Sequence, residues 1–273
     1  APSAVIRVCA LRYIPEGTVR TMAKLKKPFL FALCLLPIAI IAGVFVGYYQ
    51  LDTLADEVIA EFVARVGSTD VLIVVGAVQT AGYALFCGFF GYLLADKLGL
   101  WKPIRFEKKK LTVTLAISVV GGIVFSLEHW VFGSMIDGIQ AANAASLTVS
   151  GVIASVLYGG IIEEVLMRLF FMSLIAWIIW KVFYRKYPCE NIPVGVFIAA
   201  NIIAALVFAA GHLPATVAIF GELTPLILFR CFLLNGGFGL IFGWLYRKHG
   251  IVYSMVSHAV FHIVSKLIWI IFI

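Results

Sequence analysis

Seven long apolar runs, separated by short polar stretches, constrain this chain more than any other feature. They cover roughly residues 28–49, 71–95, 111–133, 147–182, 193–212, 225–246 and 250–272. A helix rises 1.5 Å per residue, so about 20 apolar residues cross a hydrocarbon core about 30 Å thick. Lipid offers no partner for a backbone N–H or C=O, and only helices and closed barrels satisfy those groups internally. Runs of this length belong to helices. With 63% hydrophobic and 13% charged residues, the chain carries about half the charge of a soluble domain. The fold class is therefore all-α, a polytopic transmembrane helical bundle of seven spans, eight if the long fourth run breaks. Residues 22–273 form one transmembrane domain, and residues 1–21 read as an N-terminal extension, flexible or non-native, ahead of Met22. The run after Lys27 is too long for a signal-peptide core, which makes it a retained first span.

Charge gives the orientation. Residues 20–27, 97–110, 181–186 and 247–248 hold fifteen Lys and Arg, while the alternate segments 50–70, 134–146 and 213–224 hold only Arg65. Loops rich in Lys and Arg stay in the cytoplasm, which places the N-terminus inside and the C-terminus on the opposite side of an integral, multi-pass membrane protein. The net charge of +7 is spread over those loops. No basic face with interleaved aromatics is present, and a nucleic-acid partner is set aside. The five cysteines show no CxxC pair and support neither a disulfide framework nor a cysteine metal site.

Two segments depart from a plain bundle. Residues 51–66 repeat apolar side chains at helical spacing with four acids between them, which predicts an amphipathic helix at the outer interface. Residues 147–182 as one helix would run about 54 Å, so this segment must tilt, protrude or break, and Gly159-Gly160 is the expected kink. Gly43/Gly47 and Gly239/Gly243 have the GxxxG spacing that lets helices approach closely.

The fourth run also holds Glu163 and Glu164 side by side. Each ionised carboxylate costs roughly 2.5–3.5 kcal/mol in a membrane-spanning helix, so intramembrane acids point to function. Glu164 and Arg168, at i and i+4, can pair, whereas Glu163 is rotated about 100° away and has no local partner. Glu163 is thereby free to take a proton, as a general base must. His212 ends the fifth run in Phe208-Ala-Ala-Gly-His212, and His258 and His262 share one face of the last. Such a set admits two chemistries. Glu163 and a histidine can activate water while other donors stabilise an oxyanion. Alternatively, His212, His258 and His262 can bind zinc, and the metal activates the water. A transporter or immunity-type membrane protein, with the cluster carrying protons or binding a partner, is the non-enzymatic reading.

Glu163-Glu164-Val-Leu-Met-Arg168 resembles the EExxxR motif of the CaaX-protease and bacteriocin-processing family, and Phe208-Ala-Ala-Gly-His212 resembles its FxxxH motif. The glycine-spaced stretch from Gly239 to His258 is similar to its last two helices, and the likeness covers about residues 147–265. The resemblance implies a glutamate-dependent intramembrane endopeptidase without an essential metal or other cofactor. It implies that Glu163 and His212 activate water, that His258 and the residue four positions on form the oxyanion site, and that Glu164 and Arg168 position the glutamate helix. The partners implied are membrane lipid and a peptide or prenylated-protein substrate, which loses its C-terminal tripeptide. The prenyl-processing branch usually has Asn where this chain has His262.

The remaining polar residues read as structural. Arg230 and Lys266 should snorkel or pair with an acid, Asn201 and Asn235 should bond between helices, and Glu128-His129 should be interfacial. Simple helix arithmetic puts Glu163 about 20 Å from the outer face and His258 about 12 Å from the inner one, which are matching depths. His212 does not fit that arithmetic unless its helix begins lower, continues past Pro214, or ends beside an internal cavity.

Overall fold

The computed structural model describes residues 16–273, with side chains described from Leu25 onward except Glu190. The N-terminal extension expected at residues 1–21 lies outside the described residues as far as residue 15, and the backbone from Glu16 is already helical. Among the described residues there are only helices, and seven are long and apolar enough to cross a membrane. The spanning helices are α1 (Glu16–Thr53), α3 (Asp70–Lys97), α4 (Lys108–Val131), α6 (Val149–Phe183), α7 (Val194–Phe220), α8 (Pro225–His249) and α9 (Ile251–Phe272). Two shorter helices, α2 (Asp56–Val66) and α5 (Ile139–Ala145), join spans. Helix α2 buries none of its residues, as the amphipathic pattern predicted, although Leu51–Thr53 belong to α1.

Small residues set the closest contacts. A Cβ on Gly43 would stand 2.3 Å from the carbonyl oxygen of Gly76, so α1 and α3 touch backbone to backbone. Thr80 Oγ1 completes that seam, 2.7 Å from the Ala39 carbonyl. Ser118 of α4 donates to Ser257 of α9 at 3.0 Å. Asn201 Nδ2 donates to Leu240 O at 2.9 Å and joins α7 to α8, using space that Gly243 leaves open. Between α8 and α9, Gly250 takes φ +104, a conformation L side chains rarely adopt.

Several expectations are corrected. The fourth run does not break at Gly159-Gly160, and there is no eighth span among the described residues. It widens instead, passing through two stretches of i→i+5 hydrogen bonding, Ser155–Ile162 and Val165–Met172. Gly160 presses on the Ala259 backbone, where a Cβ would come within 2.8 Å, so the glycine pair serves close packing against α9. The fifth span does not end at His212 but turns there and continues to Phe220, which resolves the depth mismatch and makes helix of much of the expected 213–224 loop. Glu128 and His129 are buried, and Glu128 pairs with Arg230 across α4 and α8. Lys266 neither snorkels nor meets an acid; it is buried and donates to Ser146 O at 2.7 Å, just past the C-terminus of α5. Asn235 bonds within its own helix, to Cys231 O at 3.1 Å.

Candidate active site

The wide turns of α6 set the two glutamates apart. Glu164 is fully buried, with Arg168 Nη1 3.4 Å from its Oε1. Its carboxylate reaches further than the i,i+4 pair expected from sequence. Oε1 lies 2.9 Å from His258 Nδ1, and Oε2 is hydrogen-bonded to Ser254 Oγ, both on α9. Ser254 Oγ also lies 2.8 Å from Phe242 O on α8. Arg168 spreads its charge between helices, with Nη2 donating to Gly239 O at 3.3 Å and its guanidinium 4.5 Å from the Phe208 ring centroid. One carboxylate and one guanidinium thus knit together α6, α7, α8 and α9.

That network fixes His258. A carboxylate accepts, so Nδ1 of His258 donates to Glu164 and its Nε2 faces outward. There it meets His262 Nε2 at 3.1 Å, and one of the two nitrogens carries the proton between them. Phe242 stacks on the His258 ring with centroids 4.3 Å apart, holding its plane.

Glu163 faces another way. A Cβ on Gly159 would lie 2.9 Å from His262 Nε2 and 3.8 Å from Glu163 Oε2, so this carboxylate and this imidazole flank a single point that a glycine leaves empty. His212, at the turn in α7, has Nδ1 2.8 Å from Phe208 O, and Phe208 packs edge-on against the His212 ring at 4.6 Å. Glu163, His212, His258 and His262 all line one cavity of about 610 Å³. Its walls are mostly apolar. They reach from mid-span toward the ends of the helices nearest residues 50–70, away from the basic loops, and include Gln50 and Thr53 at the end of α1.

All four sequence-predicted site residues therefore meet at one cavity, with the supporting Glu164, Arg168 and Phe208 packed beside it. Sequence reasoning missed Ser254, Phe242 and Tyr158, since a serine or an aromatic residue in an apolar run gives no signal of its own. The zinc alternative fares differently. Among the described residues no three His, Cys, Asp or Glu side chains are grouped to hold a metal ion. His258 Nδ1 is engaged by Glu164 and His212 Nδ1 faces a carbonyl, contacts that also orient imidazoles whose other nitrogen binds a metal.

Fold and site together define a polytopic membrane protein with a carboxylate–imidazole cluster on an apolar cavity at mid-span. Residues 145–264 match the family model of the type II CAAX prenyl endopeptidase Rce1-like proteins. The matched segment contains every residue of the cluster. No curated protein and no solved structure matches the chain.

Proposed function

We propose that the protein is an intramembrane endopeptidase that uses glutamate-activated water to remove the C-terminal tripeptide of prenylated CaaX proteins. The observation that carries this reading is the convergence of Glu163, His212, His258 and His262, all within the matched segment, on one apolar-walled cavity. Glu163, with His212, takes a proton from water, and the hydroxide attacks the scissile carbonyl. Negative charge develops on the carbonyl oxygen, and the His258–His262 pair supplies an N–H to it. Glu163 then returns the proton to the leaving amine as the C–N bond breaks, giving a new carboxylate and a free tripeptide. Glu164, Arg168 and Ser254 take no part in bond making. They hold the plane of His258 and its Nδ1–H, so that its Nε2 faces His262, whose Nε2–H is the donor set toward the oxyanion.

No cofactor enters this scheme, and the partners are membrane lipid and the lipidated protein. We further propose that the basic loops face the cytoplasm, with the N-terminus inside and the C-terminus opposite. The cavity leads away from those loops, so in this orientation it opens toward the non-cytoplasmic side, and the scheme requires the prenylated substrate to enter laterally from lipid. The test is mass-spectrometric mapping of cleavage in a farnesylated CaaX peptide and its unprenylated twin. Cleavage after the modified cysteine, lost in Glu163→Gln, is the expected result; proton flux into liposomes without any cleavage would instead favour a transporter.

A further inference from the structure

The residues assigned so far reach the cavity from α7, α9 and one face of α6, and leave the α3 side without a role. Two polar groups stand there. Gln79 lies in the first half of α3, is exposed, and lines the cavity. A carboxamide on the lipid face of a spanning helix is costly, whereas one on a wet cavity is not. Its Nε2 donates to Tyr83 Oη at 2.6 Å, one turn along the same helix, which fixes the amide and leaves Oε1 and a second N–H unused. Tyr158 of α6 also lines the cavity, and its hydroxyl forms no hydrogen bond among the described residues. A tyrosine hydroxyl at such a depth ordinarily finds a partner.

The wide turn explains why Tyr158 is there. In a regular α-helix, residues five apart point about 140° from one another. Here the Glu163 N–H bonds to Tyr158 O, an i→i+5 closure that brings both residues toward one face. Tyr158, Gln79 and Glu163 all line the same cavity. The cavity lining includes no Lys or Arg and one carboxylate, Glu163, so whatever is held there is held by neutral groups. A peptide backbone has that chemistry. Each amide offers one N–H and one C=O, matched by a phenol O–H and a carboxamide.

We propose that Tyr158 and Gln79 form a substrate-holding wall that hydrogen-bonds the backbone of the peptide under cleavage, with Tyr158 one wide helix turn from Glu163. This rests on the protease reading and deepens it by naming residues that set peptide affinity. The test uses the full chain in nanodiscs with a farnesylated peptide ending in cysteine and three aliphatic residues. A second version carries a reduced CH2–NH scissile bond and cannot be cleaved. Tyr158→Phe keeps the ring and loses the hydroxyl; Gln79→Leu keeps the bulk and loses the amide. Each should raise KM for the first peptide and Kd for the second about fivefold, the effect of one lost hydrogen bond, with kcat within about twofold and the thermal midpoint unchanged. Unchanged KM and Kd in both variants would overturn the wall, as would affinity that falls only in step with the thermal midpoint. Wild type that binds the reduced-bond peptide but cleaves none overturns the protease reading alone, and Kd then decides the wall. Wild type that binds neither peptide overturns both.

Discussion

Two carboxylate–guanidinium pairs in this bundle, one fully buried and one with a partly exposed guanidinium, have the same chemistry and different surroundings. Glu164–Arg168 is local, four residues apart on α6, and its carboxylate also holds His258 and Ser254 beside a cavity. Glu128–Arg230 joins α4 to α8, with the Arg230 guanidinium 5.7 Å from the Phe220 ring centroid and neither charged residue on the cavity. A rule that treats every intramembrane acid as functional would select both. The difference is what adjoins each pair. Beside the first stands Glu163, a second carboxylate with no cation of its own, facing imidazoles across open space. Beside the second stands a small apolar cluster that includes Phe132, Ile136 and Ile227. Burial of an ion pair organises helices; chemistry needs an uncommitted group and room for a substrate.

The largest expected effect breaks the comparison at Glu163. Glu163→Gln keeps the shape and removes the base, so turnover should fall by about 10⁴-fold, the upper range for a positioned general base, at an unchanged thermal midpoint. Glu128→Gln should leave turnover per folded molecule near wild type. If the Glu128 variant lost turnover as severely while still folded, the division between the two sites would be wrong. Next in size is His262→Ala, with an expected loss of about 10²–10³-fold, the usual cost of one oxyanion donor. His262→Asn should recover most of that, because an amide N–H can replace an imidazole N–H. Equal turnover in wild type and His262→Ala would remove His262 from the oxyanion site.

At the other pair the effect should be on stability. Arg230→Met leaves Glu128 buried without its partner, and breaking a buried pair from one side costs about 3–5 kcal/mol. Replacing both, Glu128→Gln with Arg230→Met, should recover much of that loss, since no charge is left stranded. Thermal unfolding in detergent, read beside turnover per folded molecule, separates the two sites. A double variant less stable than either single one would mean that the pair does more than satisfy itself.

How much of this was legible in the sequence depended on spacing. The seven spans, the Glu164–Arg168 pair and the shared face of His258 and His262 follow from helical periodicity over short distances. Contacts between distant segments left no trace. Glu128 and Arg230 are 102 residues apart, and Lys266 meets Ser146 across 120, so the sequence could foresee an acid for Arg230 without naming it and could not foresee Ser146 for Lys266. Tyr158 was hidden by a different cause. Its place beside Glu163 depends on i→i+5 bonding, and a 3.6-residue period points it elsewhere. At His212 the sequence left three alternatives, because Pro214 can end a helix or open a new first turn, and here it does the second.

The smallest expected effect is that of chelation, and it sharpens the role given to the Glu164 pair. A carboxylate bonded to one nitrogen of a histidine is also how metal ligands are oriented, so the Glu164–His258 contact at 2.9 Å would suit zinc chemistry as well as an oxyanion site. What separates the two is the outward nitrogen. On a zinc site His258 Nε2 and His262 Nε2 would both be unprotonated and aimed at one ion. Here they lie 3.1 Å apart, a distance that suits one donating to the other and that two ligands of one ion can also adopt, so the oxyanion reading is the one put to the test. Purified protein dialysed against a strong chelator should therefore keep its turnover, with no zinc retained by mass spectrometry. His262→Asn should behave alike with or without the chelator. Activity lost on dialysis and restored by zinc alone would reassign Glu164 and Arg168 from holding a hydrogen-bond donor to holding a metal ligand, and Glu163 would then act on metal-bound water.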